Sequence, residues 1–353
     1  MNRKWRNMHG VCCTFETVSL SEMKGENNNT IREIRITTPA RLHLSLIDLN
    51  GQLGRIDGGF GLAITEPNFQ IVAQPSTEIH VESDAYHERT CAIVARLQSA
   101  YKFPGIKLRF ISEIPTHSGF GSGTQLSLGI ASAVNVLYDL KLSISELANA
   151  VGRGGTSGIG VAAFDTGGFI VDGGHQYPEQ KSSFLPSSAA DHIAPPPILF
   201  QHVFPNWQLL IAMPNCSRIY GDQELNLFRT LCPQPPTIAP KLSHILLLQM
   251  LPALLEKDMF SFGDALNQLQ TIGWKKVEID AQGAELKQTL EFMQNNGALG
   301  AGVSSWGPAI CAVSEDITEL KRKTEMFLST LPNSGTCFIT SANNTGAQIK
   351  KVD

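Results

Sequence analysis

The sequence predicts an α+β protein in which mixed sheets are packed with helices. Three observations carry that prediction. The early part of the chain is rich in alternating apolar and polar residues, the period of a half-buried strand. The later part interleaves strand-like with helix-like segments. No repeat recurs at a fixed period, and the order is not the strict strand–helix alternation of one doubly wound parallel sheet. With 353 residues, 42% of them apolar and 17% charged, the chain has enough apolar side chains for a sizeable core.

From Ile31, "IREIRITTPARLHLSLIDL" alternates around one proline and predicts two strands, or one strand and its continuation. "GQLGRIDGGFGLAI" predicts a glycine-rich turn and a short strand, and "FQIVAQ" and "IHVES" continue the β character. Ala85, Ile93, Val94, Leu97 and Ala100 fall at helical spacing, and "GIKLRFISEIP" is a further strand. Leu126, Ile130, Ala133, Val134, Leu137 and Leu140 then keep a helical period, with Ser122 or Thr124 as its cap. A second helix is predicted over "SISELANAVGR", with Ser145 as N-cap. "GGTSGIGVAAFDTGGFIVDGG" reads as glycine-broken β structure. Residues 175–197, rich in Pro and Ser and without period, read as a long loop or domain junction. Beyond them, strands are predicted over "WQLLIAMP", "PAICAVS" and "GTCFITS", and helices near 240–257, 260–271, 281–294 and 315–329. The domain expectation is a flexible extension over 1–30 ending in the polar "KGENNNT", an N-terminal domain over 31–200 and a C-terminal α/β domain over 201–353.

Composition narrows the function. The net charge is -4, and no run of Lys or Arg resembles a nucleic-acid footprint. An anionic ligand must therefore be held locally. The seven cysteines are odd in number and include no C-x-x-C, which argues against a disulfide framework or zinc knuckle and fits a reducing, cytoplasmic setting. No apolar run approaches the ~20 residues that cross a bilayer, and the N-terminus lacks the continuous apolar stretch of a signal peptide. No membrane partner is expected.

The chemistry starts at "EIPTHSGFGSGTQLSLGIA", where a strand, a glycine-rich turn and a helix N-terminus follow one another. The first N–H groups of a helix have no internal partner and the helix dipole is positive there, so such a turn suits phosphate or diphosphate. Gly119, Gly121 and Gly123 let backbone approach the anion; Ser122 and Thr124 add hydroxyls, and Ser122 is the candidate ligand of a phosphate-bound Mg²⁺. Gln125 follows in the same turn. No Gly-Lys-Ser/Thr follows, so this is not a Walker loop, and the spacing is not that of a dinucleotide fingerprint. The competing reading is a structural turn whose glycines only supply positive φ.

Residues 115–124, P-x-x-x-G-F-G-S-G-T, resemble the phosphate-binding motif of the GHMP kinase superfamily, usually P-x-x-x-G-L-G-S-S-A. "PARLHLSLID" (39–48) and "GALGAGVSSWGPAI" (297–310) stand where that superfamily has its N-terminal and C-terminal motifs. "PARLHLSLIDLNGQLGRIDGGFGLAI", "GFGSGTQLSLGIA", "GRGGTSGIGVAAFDTGGFIVDGG" and "SSWGP" are more closely similar to one branch, the β-ribofuranosylaminobenzene 5′-phosphate synthases. The resemblance implies a GHMP-type two-domain fold and a homodimer. It also implies a decarboxylating phosphoribosyl transfer from 5-phosphoribosyl 1-diphosphate to 4-aminobenzoate, or to 4-hydroxybenzoate, in tetrahydromethanopterin biosynthesis. An ATP-dependent small-molecule kinase is the alternative. Many GHMP kinases place a catalytic aspartate in an S-G-x-D-like stretch; here "TSGIG" has Gly160 at that point, and the next acid is Asp165.

Arg41 and His43 share one strand face with Ser45. Arg41 is the candidate for the 5-phosphate or the acceptor carboxylate, because a guanidinium grips either with two hydrogen bonds; the competing reading is a surface charge. His43 is a candidate site residue or a hydrogen-bonded core histidine. Asp57, in the tight loop "GRIDGGFG", is a candidate for ribose hydroxyls, Mg²⁺ or the arylamine, or an Asp turn. Arg153 with Thr156 and Ser157 forms a second candidate anion nest, although an arginine before Gly154 also suits a helix end. Asp165 is a candidate acid/base. Ser304 and Ser305 are candidate donors to phosphate or carboxylate, and Trp306 a stacking surface or a packing anchor. The loop 181–188 is a candidate cover, or a plain surface loop.

Overall fold

The computed structural model describes residues 32–83, 85–186, 189–190 and 193–352. The expected extension over 1–30 lies outside the described residues, as do Ser187 and Ser188 of the candidate cover. The first half runs β1 (Glu33–Asp48), β2 (Arg55–Ser76), β3 (Ile79–Glu82), α1 (His87–Tyr101), β4 (Gly105–Ser112), α2 (Ser122–Leu137), α3 (Ile144–Ala150), α4 (Ile159–Asp165), β5 (Phe169–Asp172), β6 (His175–Gln176) and β7 (Ile198–His202). The second runs β8 (Gln208–Pro214), α5 (Asp222–Leu231), α6 (Ile238–Ile245), a π turn (Leu246–Met250), α7 (Leu251–Glu256), α8 (Met259–Leu269), α9 (Gly273–Asp280), α10 (Ala284–Asn295), β9 (Gly300–Val303), β10 (Ile310–Val313), α11 (Ile317–Thr330), β11 (Gly335–Ser341) and β12 (Gln348–Val352).

Two sheets result, the larger mixed and the smaller antiparallel. The larger sheet has the order β12-β1-β2-β4-β3, with β5 and β6 also on β2 and β7 on β5; the smaller is β11-β8-β10-β9. The expected boundary at 200/201 falls inside β7, and β12 returns from the chain's end to pair with β1. Sheet pairing by residues far along the chain is invisible to a linear reading of composition.

In β1, Ile34 and Ile36 point inward and Arg35 and Thr37 outward, up to a register shift between Thr38 and Ala40. Beyond it, Leu42 to Leu46 are all buried, because α2 and α4 pack on the strand from the first half and α6 and α9 from the second. That double covering puts Arg41 and His43 inside the protein. α2 is also covered on most sides, with every residue from Gln125 to Val134 buried; its apolar stripe understates how central it is.

Four local expectations need correction. The second helix is capped by Ser143, not Ser145: the Ser143 hydroxyl accepts from Glu146 N–H, and Glu146 in turn accepts from Ser143 N–H. The segment expected as glycine-broken β structure contains α4, whose buried Ile159, Val161, Ala162 and Phe164 fix it against the sheet. α5 and α9 were not anticipated. Finally, the continuous helix Ile238–Glu256 has 19 residues and a mean hydropathy of 1.5, long and apolar enough by length and composition to cross a membrane. Lys241, His244 and Gln249 interrupt its apolar run in sequence. Its Leu242, Ile245, Met250 and Leu254 join the main core, while Leu247, Leu248 and Leu255 are exposed.

Candidate active site

Three segments distant in sequence meet at the glycine loop. β4 delivers the chain to it, and α2 starts at Ser122 after Gly121, which has φ +70°. Gly119 has φ +86°, and a Cβ there would lie 2.4 Å from the Ser304 carbonyl oxygen, so only glycine fits. The turn is fixed from both halves of the protein. Arg41 N–H donates to the Phe120 carbonyl at 3.0 Å. The Arg41 guanidinium and the Ser304 hydroxyl both donate to the Gly119 carbonyl, at 2.6 and 2.7 Å. His43 N–H donates to Ser304 Oγ at 2.9 Å, and Ser305 N–H to the His43 carbonyl at 2.9 Å. A backbone cradle held this way needs little rearrangement to accept an anion.

One cleft opens over the cradle. Its floor is basic: Arg41, Arg89 and Arg153 line it beside Gly119 to Thr124. Arg89 comes from the first turn of α1, and its Nη2 would lie 2.4 Å from a Cβ on Gly123. Burial lowers Arg41 to about 10, with Glu278 and Glu224 opposing; it stays a cation at neutral pH. Arg153 Nε donates to Ser127 Oγ at 3.2 Å. The facing wall is aromatic and acidic. Tyr220 stacks on His117 with ring centroids 4.1 Å apart. Trp306 is 8% exposed, packs edge-on against Trp274, and its indole N–H donates to Glu224 Oε1 at 2.8 Å. Burial is the main force pushing the Glu224 carboxyl up to about 7, with Glu278 adding to it and Trp306 and Arg41 pulling it down. Basic and aromatic side chains thus share one cavity.

Comparison with known proteins agrees with this geometry. The GHMP kinases N terminal domain matches residues 86–168 and the GHMP kinases C terminal domain residues 250–329. A β-ribofuranosylphenol 5′-phosphate synthase of Methanocaldococcus jannaschii is 37% identical over 89% of this chain and 99% of its own. One of Methanothermobacter thermautotrophicus is 43% identical over 80% of this chain and 89% of its own. The chain belongs to the β-ribofuranosylphenol 5′-phosphate synthase family. As an enzyme of that family it carries the GHMP kinase fold. The solved homoserine kinase of Cytophaga hutchinsonii, 16% identical, superposes with a TM-score of 0.62 over 93% of this chain and 100% of its own.

Within this synthase family member, the cleft gathers Arg41, Gly119, Gly121, Ser122, Gly123, Thr124, Arg153, Ser305 and Trp306 from the sequence-predicted set. The others lie elsewhere. Ser304 and His43 brace the loop from beneath, and burial first, then Arg41 and Lys275, hold His43 well below the usual histidine range. Gln125 is fully buried under the loop and donates to the Gly160 carbonyl at 2.8 Å, so it ties α2 to α4. Gly160 itself packs on Thr124: a Cβ there would come 3.2 Å from Thr124 Cγ2. Asp165 is exposed at the far end of α4.

Asp57, Thr156 and Ser157 belong to a separate buried cluster. Asp57, at φ +69°, accepts through Oδ2 from Lys181 Nζ at 2.9 Å and sits 2.8 Å from His175 Nδ1. Lys181 also donates to Thr156 Oγ1 and the Leu185 carbonyl, both at 3.1 Å. The Ser157 hydroxyl and the Gly158 N–H donate to Asp172, whose carboxyl burial pushes up to about 6. Lys181 therefore anchors one end of the candidate cover. Arg89, His117, Tyr220 and Glu224 are the site residues that sequence reasoning missed.

Proposed function

We propose that this chain joins 5-phosphoribosyl 1-diphosphate to a para-substituted benzoate through carbon, releasing CO₂ and diphosphate, within tetrahydromethanopterin biosynthesis. The observation that carries the reading is the cleft, with three guanidinium groups and a helix N-terminus on one side and Trp306, Tyr220 and Glu224 on the other. A donor with two phosphate-bearing ends matches the first side, and an aromatic ring matches the second. The name of these relatives, a ribofuranosylphenol synthase, favours 4-hydroxybenzoate, since loss of CO₂ from that acid leaves a phenol; 4-aminobenzoate would leave an aniline.

The protein's part is positioning and charge stabilisation. The N–H groups at the start of α2, with Arg89 and Arg153, hold the diphosphate as charge builds on it. Arg41, reaching the cleft from β1, grips a second anionic group, the 5-phosphate or the acceptor carboxylate. Trp306 walls the ring and keeps water from the activated ribose. Among the described residues no group of three or more His, Cys, Asp or Glu side chains is placed to hold a metal. The oxygen donors fit a Mg²⁺ that arrives on the phosphates, with the Ser122 hydroxyl as the protein ligand. Bound there, the ion would neutralise charge on the departing diphosphate.

The kinase alternative would place its aspartate in the S-G-x-D-like stretch; Gly160 stands at that point, and the next acid, Asp165, is remote from the cleft. Product chemistry tests the reading. The product of 4-hydroxybenzoate and the ribose donor should have lost its carboxylate, resist acid hydrolysis as a C-riboside does, and keep an ionisable phenol. A product that retains the carboxylate and has a blocked phenol would be an O-riboside, and the proposal would be wrong.

A further inference from the structure

We infer that Glu224 is the proton acceptor, and then the proton donor, for the para-hydroxyl of the aromatic acid. The inference rests on the reaction proposed above and assigns a step that reaction does not specify. Glu224 lies in the first turn of α5, three residues after Gly221, and its side chain lines the cleft beside Trp306 and across from the glycine loop. The Trp306 indole fixes Oε1 at 2.8 Å. No hydrogen bond occupies Oε2 among the described residues, so that oxygen is open to a ligand against the indole. Among the cleft-lining side chains, Glu224 is the one carboxylate. A carboxylate on the aromatic wall, facing a floor built of cations, is ill suited to phosphate and well suited to an O–H donor.

The chemistry requires such a group for a phenol and not for an aniline. As the ring carbon bearing the carboxylate bonds to C1′ of the ribose, the C1′–O bond to diphosphate breaks. The hydroxyl proton passes to Glu224 Oε2, and the ring becomes a dienone. The bond from that carbon to the carboxylate then breaks, CO₂ leaves, and the electron pair restores the aromatic ring. The oxygen takes the proton back from Glu224. With 4-aminobenzoate the nitrogen lone pair pushes without losing a proton, and the same sequence closes through an iminium with no base.

The environment suits both directions of transfer. Desolvation, with Glu278 on α9 adding to it, pushes the Glu224 carboxyl up to about 7 against the opposing Trp306 hydrogen bond and Arg41 on β1. Glu278 is itself ion-paired to buried Lys275. A group that titrates near neutrality gives and takes a proton at comparable cost. Because the base must be ionised, turnover of 4-hydroxybenzoate should rise as pH rises through about 7.

The test compares wild type with Glu224→Gln on the full chain, with Mg²⁺ and saturating phosphoribosyl diphosphate. With 4-hydroxybenzoate kcat should fall on the order of 100-fold or more; with 4-aminobenzoate the loss should be at least about ten-fold smaller. The acidic limb of the 4-hydroxybenzoate pH profile should vanish in the variant, and its deficit should shrink at alkaline pH, where the phenol ionises by itself. Equal losses on the two acids, or an unmoved acidic limb, would overturn the role of Glu224 while leaving the reaction standing. A wild-type enzyme inert with both acids would overturn the reaction itself. Donor affinity from titration calorimetry and the thermal midpoint separate these outcomes from misfolding.

Discussion

Arg41→Ala should weaken binding of phosphoribosyl diphosphate by about 100-fold, or ~3 kcal/mol, the range seen when one partner of a desolvated charge pair is removed. Two losses combine. The cleft loses a half-buried guanidinium, and the Gly119 carbonyl loses one of its two side-chain donors, the one at 2.6 Å. Arg41→Lys should recover only part of the affinity, because an ammonium keeps the charge but not the two-pronged geometry. Titration calorimetry reads the affinity, and the unfolding midpoint checks the fold. Donor affinity within about 3-fold of wild type, a change of under ~1 kcal/mol, would remove Arg41 from the binding site.

Asp57→Asn should cost stability, not chemistry. Asparagine keeps the shape and tolerates the φ of +69°, so the substitution isolates the charge. It leaves the Lys181 ammonium, itself 1% exposed, without its carboxylate. Breaking a buried pair from one side costs about 3–5 kcal/mol. Burial already lowers Lys181, against the opposing pull of Asp57; without Asp57 it falls further. The unfolded chain then binds more protons than the folded one up to the ordinary lysine range, so stability of the variant should recover as pH rises. Denaturant titrations at pH 7 and pH 9.5 would measure this. A loss below about 1 kcal/mol at pH 7 would show that the pair contributes little. Adding Lys181→Met should restore part of the loss, since the stranded charge is then gone.

What the sequence made readable was local. Ten residues from Pro115 to Thr124 contain the whole glycine turn of the cleft and the start of α2, because the two adjoin in the chain. Arg41 and Trp306 were readable because they lie inside motifs that adjoin that site. Arg89 carried no such mark: it is one charge on an amphipathic helix, and only the packing of α1 on α2 brings it to Gly123. Glu224 lies in α5, a helix not anticipated from the sequence, and its meaning comes from Trp306, far away in sequence. The Asp57–His175–Lys181 cluster likewise joins residues more than a hundred positions apart, with 118 between Asp57 and His175. Ser143 is different. Its S-x-x-E spacing to Glu146 was visible, and it outranks Ser145, which has alanine three residues on. α4 was hidden by its flanking glycines, which end the helix instead of breaking a strand.

The measurement that bears most directly on this account uses carboxyl-¹⁴C-labelled 4-hydroxybenzoate, Mg²⁺ and the purified chain. One reaction contains phosphoribosyl diphosphate and a parallel one ATP. The account predicts ¹⁴CO₂ release that depends on the ribose donor and matches diphosphate mole for mole, with ATP left intact. Retention of the label in both reactions, with ATP consumed on a sugar or polyol, would contradict it and return the cleft to kinase chemistry.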